Sequence, residues 1–116
     1  MLVKDIKDLL KAREIYIADE NIYEKNYEHV FATDLMSDAL ALLKDETEDV
    51  LLISGLSNVQ SLRTAEVLDL ETVLLVRGKP IDTHMAEMAK DLHINLFQTD
   101  LTMFQVCGLL YEKGMR

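Results

Sequence analysis

Residues 72–82 read Thr-Val-Leu-Leu-Val-Arg-Gly-Lys-Pro-Ile-Asp: an apolar run from Val73 to Val76, then Arg77, Gly78, Lys79 and the chain's only proline, Pro80. So short an apolar run, stopped by glycine and proline, reads as a strand buried on both faces. Pro80 biases Lys79 away from helix, so the next helix is expected to start near Asp82. Strand, tight turn and helix form the unit that α/β proteins repeat, with their ligands at such turns.

The same unit recurs on either side. Upstream, Val50 to Ser54 is another apolar run, closed by Gly55, and Asn58 is placed to cap a helix reaching about Leu68 with Val59, Leu62 and Ala65 inward. Downstream, Ile81, Met85, Met88, Ala89 and Leu92 make the inner face of a helix. A short strand follows from Ile94 to Gln98, and Thr99 or Asp100 is expected to cap a final helix from Leu101 to about Glu112.

Nearer the N-terminus the order is less regular. Leu2, Ile6, Leu9 and Leu10 predict an amphipathic helix over residues 3–12. Alternation predicts strands at Arg13–Ile17 and Tyr27–Ala32, with a polar loop over residues 18–26 between them. Asp34 is expected to cap a helix with Met36, Ala39, Leu40 and Leu43 on one face, followed by an acidic connection over residues 44–49. From Ser37 onward helices and strands alternate, which predicts one three-layer α/β/α domain over residues 1–116. Its central sheet is mostly parallel, with about four to six strands and room for a mixed edge.

Composition narrows the partners. The 116 residues carry 21 acidic against 12 basic side chains, a formal charge of −9 that repels phosphate backbones and anionic lipid. Nucleic acid and membrane surfaces are therefore poor partners. No apolar run approaches the roughly 20 residues of a membrane span, and the charge-studded N-terminus does not read as a signal peptide. The single cysteine, Cys107, excludes an internal disulfide and a multi-thiolate zinc site. A cytoplasmic protein is expected.

Four polar clusters fall at the βα junctions, and parallel strands would bring them to one edge of the sheet. They supply nine candidate ligand-binding residues: Asp34, Ser37, Gly55, Asn58, Arg77, Gly78, Lys79, Thr99 and Thr102. Helix N-termini there suit an anion, and Arg77 and Lys79 add positive charge. The plainer reading of each is a cap or a turn. No P-loop or G-x-G-x-x-G is present, so no cofactor is implied. His29, His84 and His93 are too scattered for a metal pair, and His29 is expected to be packed among aromatics. Cys107, on an apolar helix, reads as a small hydrophobe, and no serine has a nucleophile setting. The final helix carries two apolar stripes, Phe104, Cys107, Gly108 and Tyr111 on one and Met103, Val106 and Leu110 on the other. A helix apolar nearly all round points to a partner, and a homodimer through Met103, Val106 and Leu110 is expected.

Val-Lys-Asp-Ile at residues 3–6, Ala-Thr-Asp-Leu-Met-Ser-Asp-Ala-Leu at 32–40, the strand Val73–Val76 with Gly78 and Pro80, and Thr99, Thr102 and Phe104 share an order and spacing. In these the chain resembles the DRTGG domain family over nearly its whole length. It departs at Tyr23–Phe31, where the family's naming glycines are absent and Glu28 and His29 stand nearby. The resemblance implies a fold similar to the N-terminal domain of HPr kinase/phosphorylase. It also implies a regulatory role, standalone or beside domains such as CBS, and a tendency to dimerise. The reading is then a non-catalytic regulatory or small-ligand-binding homodimer, sensing an anionic metabolite or nucleotide. The alternative is a protein–protein interaction module without a small ligand, and an enzyme ranks third.

Overall fold

The structure, a computed structural model, describes residues 1–43 and 49–116, so most of the expected acidic connection lies outside the described residues. Helix α1, Val3–Leu10, buries Val3, Ile6 and Leu10 and ends at Lys11, which turns left-handed with φ 50°. Strand β1, Arg13–Tyr16, follows. The expected polar loop contains a short 3₁₀ helix, Glu20–Glu24, capped by Asp19 accepting from the Asn21 N–H.

Four βα units come next. Strand β2 is His29–Ala32, with helix α2 at Met36–Leu42. Strand β3 is Val50–Ser54, with helix α3 at Val59–Val67. Strand β4 is Thr72–Leu75, with helix α4 at Thr83–Leu92. Strand β5 is Asn95–Gln98, and helix α5 is Met103–Glu112. The sheet runs β1-β5-β4-β3-β2, parallel except for β1, which pairs antiparallel with β5 and places Arg13 opposite Gln98. The mixed edge is thus β1.

The unbroken apolar runs have a direct cause. Leu52, Val73, Leu75 and Leu96 face a core built with Met36 and Ala39 of α2, Leu62 and Ala65 of α3, and Met85 and Ala89 of α4. Leu51, Ile53, Leu74 and Phe97 face the other way, toward Ile6 and Leu10 of α1 and Val106 and Leu110 of α5. A strand covered on both sides needs apolar residues at every position. Three helices therefore cover one face of the sheet, and α1 and α5 cover the other.

Val106 and Leu110 correct the expected dimer surface. They are 0% and 1% exposed and Met103 packs against the same core, so this stripe is occupied by the chain itself. The sheet needed a second cover, and α5 supplies it. The other stripe faces outward, with Phe104 87% and Tyr111 61% exposed, and the Arg116 guanidinium lies 3.9 Å from the Tyr111 ring centroid. His29 is likewise exposed rather than packed.

Tyr27 is buried, and its hydroxyl donates to Thr72 Oγ1 at 3.0 Å. Burial pushes its phenol up to about 12 from an ordinary 10. The unfolded chain therefore ionises this tyrosine first. Its contribution is fully present below about pH 10 and is lost as pH rises toward 12. Tyr23, half-buried and hydrogen-bonded to Glu14, shifts the same way. Urea midpoints are expected to fall over that alkaline window, and Tyr27→Phe should flatten part of the fall.

Candidate functional site

Parallel pairing brings the ends of β2 to β5 to one edge, and three of the expected residues meet there. Asp34 does not cap α2, which starts after Leu35 without a side-chain cap. Its Oδ1 instead accepts the Gly55 N–H at 2.6 Å, linking the β2 turn to the β3 turn. Arg77 reaches Gly55 from the other side, its Nη2 donating to the Gly55 carbonyl at 3.4 Å. A Cβ on Gly55 would sit 3.0 Å from Arg77 Nε and Nη2 and from Asp34 Oδ1. A side chain there would crowd the guanidinium and the carboxylate that flank this backbone.

The β4 turn is held just as firmly. Arg77 and Gly78 have φ of 72° and 59°. The Arg77 N–H donates to the Leu101 carbonyl at 2.8 Å and the Gly78 N–H to the Thr99 carbonyl at 3.0 Å. Gln98, buried, donates through Nε2 to the Lys79 carbonyl at 2.6 Å and accepts from Arg13 Nη2 at 2.6 Å. Arg13 Nη1 also pairs with Asp100 Oδ1 at 2.9 Å. Edge strand β1 thereby ties both the β4 and the β5 turns.

Among the described residues, four non-glycine residues have positive φ. Lys11, Asp69 and His93 sit at the ends of α1, α3 and α4, where a left-handed residue commonly closes a helix. Arg77 ends no helix. A non-glycine residue held in the left-handed region costs on the order of 1–2 kcal/mol and is a pointer to a site.

The remaining expectations divide. Asn58 caps α3, accepting the Gln60 N–H at 2.9 Å. Asp82, read as a helix start, caps α4 in the same way. Neither Thr99 nor Asp100 caps α5. Thr99 is buried and donates to the Leu10 carbonyl at 2.6 Å, tying β5 to α1. The cap is Thr102, whose Oγ1 accepts the Gln105 N–H while the Gln105 amide oxygen accepts the Thr102 N–H. Ser37 is exposed on the first turn of α2. Arg13 and Gln98 were not foreseen as site residues, because their roles follow from the β1–β5 pairing, and Asp100 was expected at this edge only as a cap. Ser57 adds one more: its Oγ is buried without a hydrogen-bond partner among the described residues.

Where the turns lie on the sheet matters chemically. The chain leaves β4 for α4 on one face and leaves β5 for α5 on the opposite face. Ligands of open α/β sheets favour the crevice at such a reversal. Here the reversal falls at Arg77-Gly78-Lys79 beside Thr99-Asp100. Carboxylates of Asp34 and Asp100 stand among the cations Arg13, Arg77 and Lys79, so the edge is mixed in charge rather than simply basic. Cys107 is half-buried on α5, and burial raises its thiol pKa, which suits packing over nucleophilic work. No helix among the described residues is long and apolar enough to cross a membrane.

No family model matches the chain, and no curated protein does. A solved structure is similar across 94% of this chain and 45% of its own, with a TM-score of 0.71 at 19% sequence identity. It is the crystal structure of the CBS and DRTGG domains of the regulatory region of Clostridium perfringens pyrophosphatase, complexed with the activator diadenosine tetraphosphate. This chain thus spans under half of that protein chain, and the likeness is one of fold, to a regulatory rather than a catalytic region.

Proposed function

We propose that the chain is a non-catalytic regulatory domain of the DRTGG type, binding a small anionic ligand of nucleotide or phosphorylated-metabolite chemistry and working as a homodimer. The observation that carries the ligand site is Arg77, left-handed without ending a helix, beside the β5 turn after which the chain crosses to the opposite face of the sheet. Lys79 and the Gly55 turn complete the recognition surface. The shared fold of a nucleotide-activated regulatory region supports the same reading. A strained arginine kept by the fold is explained when its guanidinium meets an anion.

A ligand that binds only the folded chain stabilises it by about 2.7 kcal/mol at a hundredfold excess over Kd. Thermal melts across a panel of nucleotides, dinucleoside polyphosphates and phosphorylated metabolites are expected to give at least one stabilising hit. Arg77→Ala and Lys79→Ala should abolish that rise while leaving the unliganded melting point nearly unchanged. A panel without a hit overturns the reading. The exposed Phe104 favours a second reading, a protein interaction module, in which these two variants leave partner affinity intact.

A further inference from the structure

At the opposite edge of the sheet, before β4 and β5, an open cleft of about 440 Å³ lies between the 3₁₀ segment and the end of α4. Its volume falls within the roughly 300–1,000 Å³ of small-molecule sites. Its walls carry both signs of charge, Asp19 and Glu71 against Lys25, with Ile22 as an apolar side and Asn95 and His93 as polar ones.

Asn95 fixes what the cleft can offer. It is 3% exposed, and its Oδ1 accepts the N–H groups of Ala18 at 2.9 Å and Asp19 at 3.3 Å. One Nδ2 hydrogen goes to the Glu71 carbonyl at 3.1 Å. An amide nitrogen carries two hydrogens, so one donor remains at a wall of the cleft. Lys25 pairs with Glu71 at 3.3 Å, which holds a cation and an anion side by side on the same surface. His93, left-handed at the end of α4, presents an exposed imidazole. Asp19 spends one carboxylate oxygen on its own cap. The lining therefore pairs a donor side (Lys25, His93, Asn95) with an acceptor side (Asp19, Glu71). A simple anion would meet two carboxylates and a simple cation a lysine.

We infer that this cleft is a second ligand site, for a small zwitterion with α-amino-acid chemistry. The ligand's carboxylate lies on the Lys25, His93 and Asn95 side, and its ammonium on Asp19 and Glu71. The site stands independently of the turn edge.

The test is a series of amide-resolved NMR titrations of the full chain with the common L-amino acids, one at a time at millimolar concentration. Saturable shifts are expected, confined to residues 18–25, 71 and 93–95, for at least one of them. Glu71→Gln and His93→Asn (asparagine tolerates the left-handed position) should each weaken binding about tenfold, with melting points held. The N-acetyl and the carboxamide derivatives of the hit should both fail to bind. Absence of any shift in these residues overturns the inference. So does a derivative that binds as well as its parent, since one charge then suffices, or a response confined to Gly55 and Gly78.

Discussion

Leu110→Ala is expected to lower the unfolding free energy by about 2–5 kcal/mol, while Phe104→Ala on the same helix changes it by less than about 0.5 kcal/mol. Leu110 is 1% exposed in the core that α1 and α5 build against the sheet, so truncating it leaves a cavity that the close-packed surroundings fill only in part. Phe104 is 87% exposed and leaves nothing behind. Urea denaturation of the two variants checks this directly. Light scattering supplies the other half of the contrast: if α5 joins two copies, its outward stripe must do so, and Phe104→Ala should weaken the dimer without weakening the fold. Equal loss of stability in both variants would mean that α5 is seated differently.

Gly78→Ala is expected to cost about 1–3 kcal/mol, from two sources that can be separated. A φ of 59° is strained for any residue with a Cβ. The added Cβ would also lie 2.3 Å from Asp100 Oδ1 and 3.3 Å from the Asp100 Cα. Asp100 cannot simply swing aside without breaking its pair with Arg13. In an Asp100→Ala background the overlap with the carboxylate disappears and the backbone term remains. The glycine substitution should therefore cost measurably less there, a coupling that a double-mutant cycle in urea reads out. Additive costs would show that the carboxylate does not confine the turn.

Much of the fold is legible because burial on both faces writes itself as an unbroken apolar run. Val50–Ser54 and Val73–Val76 announce central strands, and Asn58 and Asp82 announce the helices that follow. What periodicity does not encode is which edge a peripheral strand joins, so the partner of β1 could not be read. Arg13 and Gln98 were missed with it. Asp34, Thr99 and Thr102 show a different limit. Each is a residue type that caps helices, yet only Thr102 does so; Asp34 is drawn across to Gly55 and Thr99 to Leu10. Side-chain chemistry offers both uses, and tertiary neighbours choose between them. The two stripes of α5 were equally apolar on paper, and only the need to cover the second sheet face decides which one turns inward.

The position of β1 has a consequence for how the molecule assembles. Its residues come first along the chain, whereas the strand it pairs with comes last. Strands β2 to β5 add one after another through neighbouring helical connections, so most of the sheet can grow by short steps. The bonds from Arg13 to Gln98 and Asp100 instead join residues 85 and 87 apart in sequence, and so long a loop carries a closure entropy that the βα steps do not. The two turns that they hold are therefore tied across nearly the whole length of the chain.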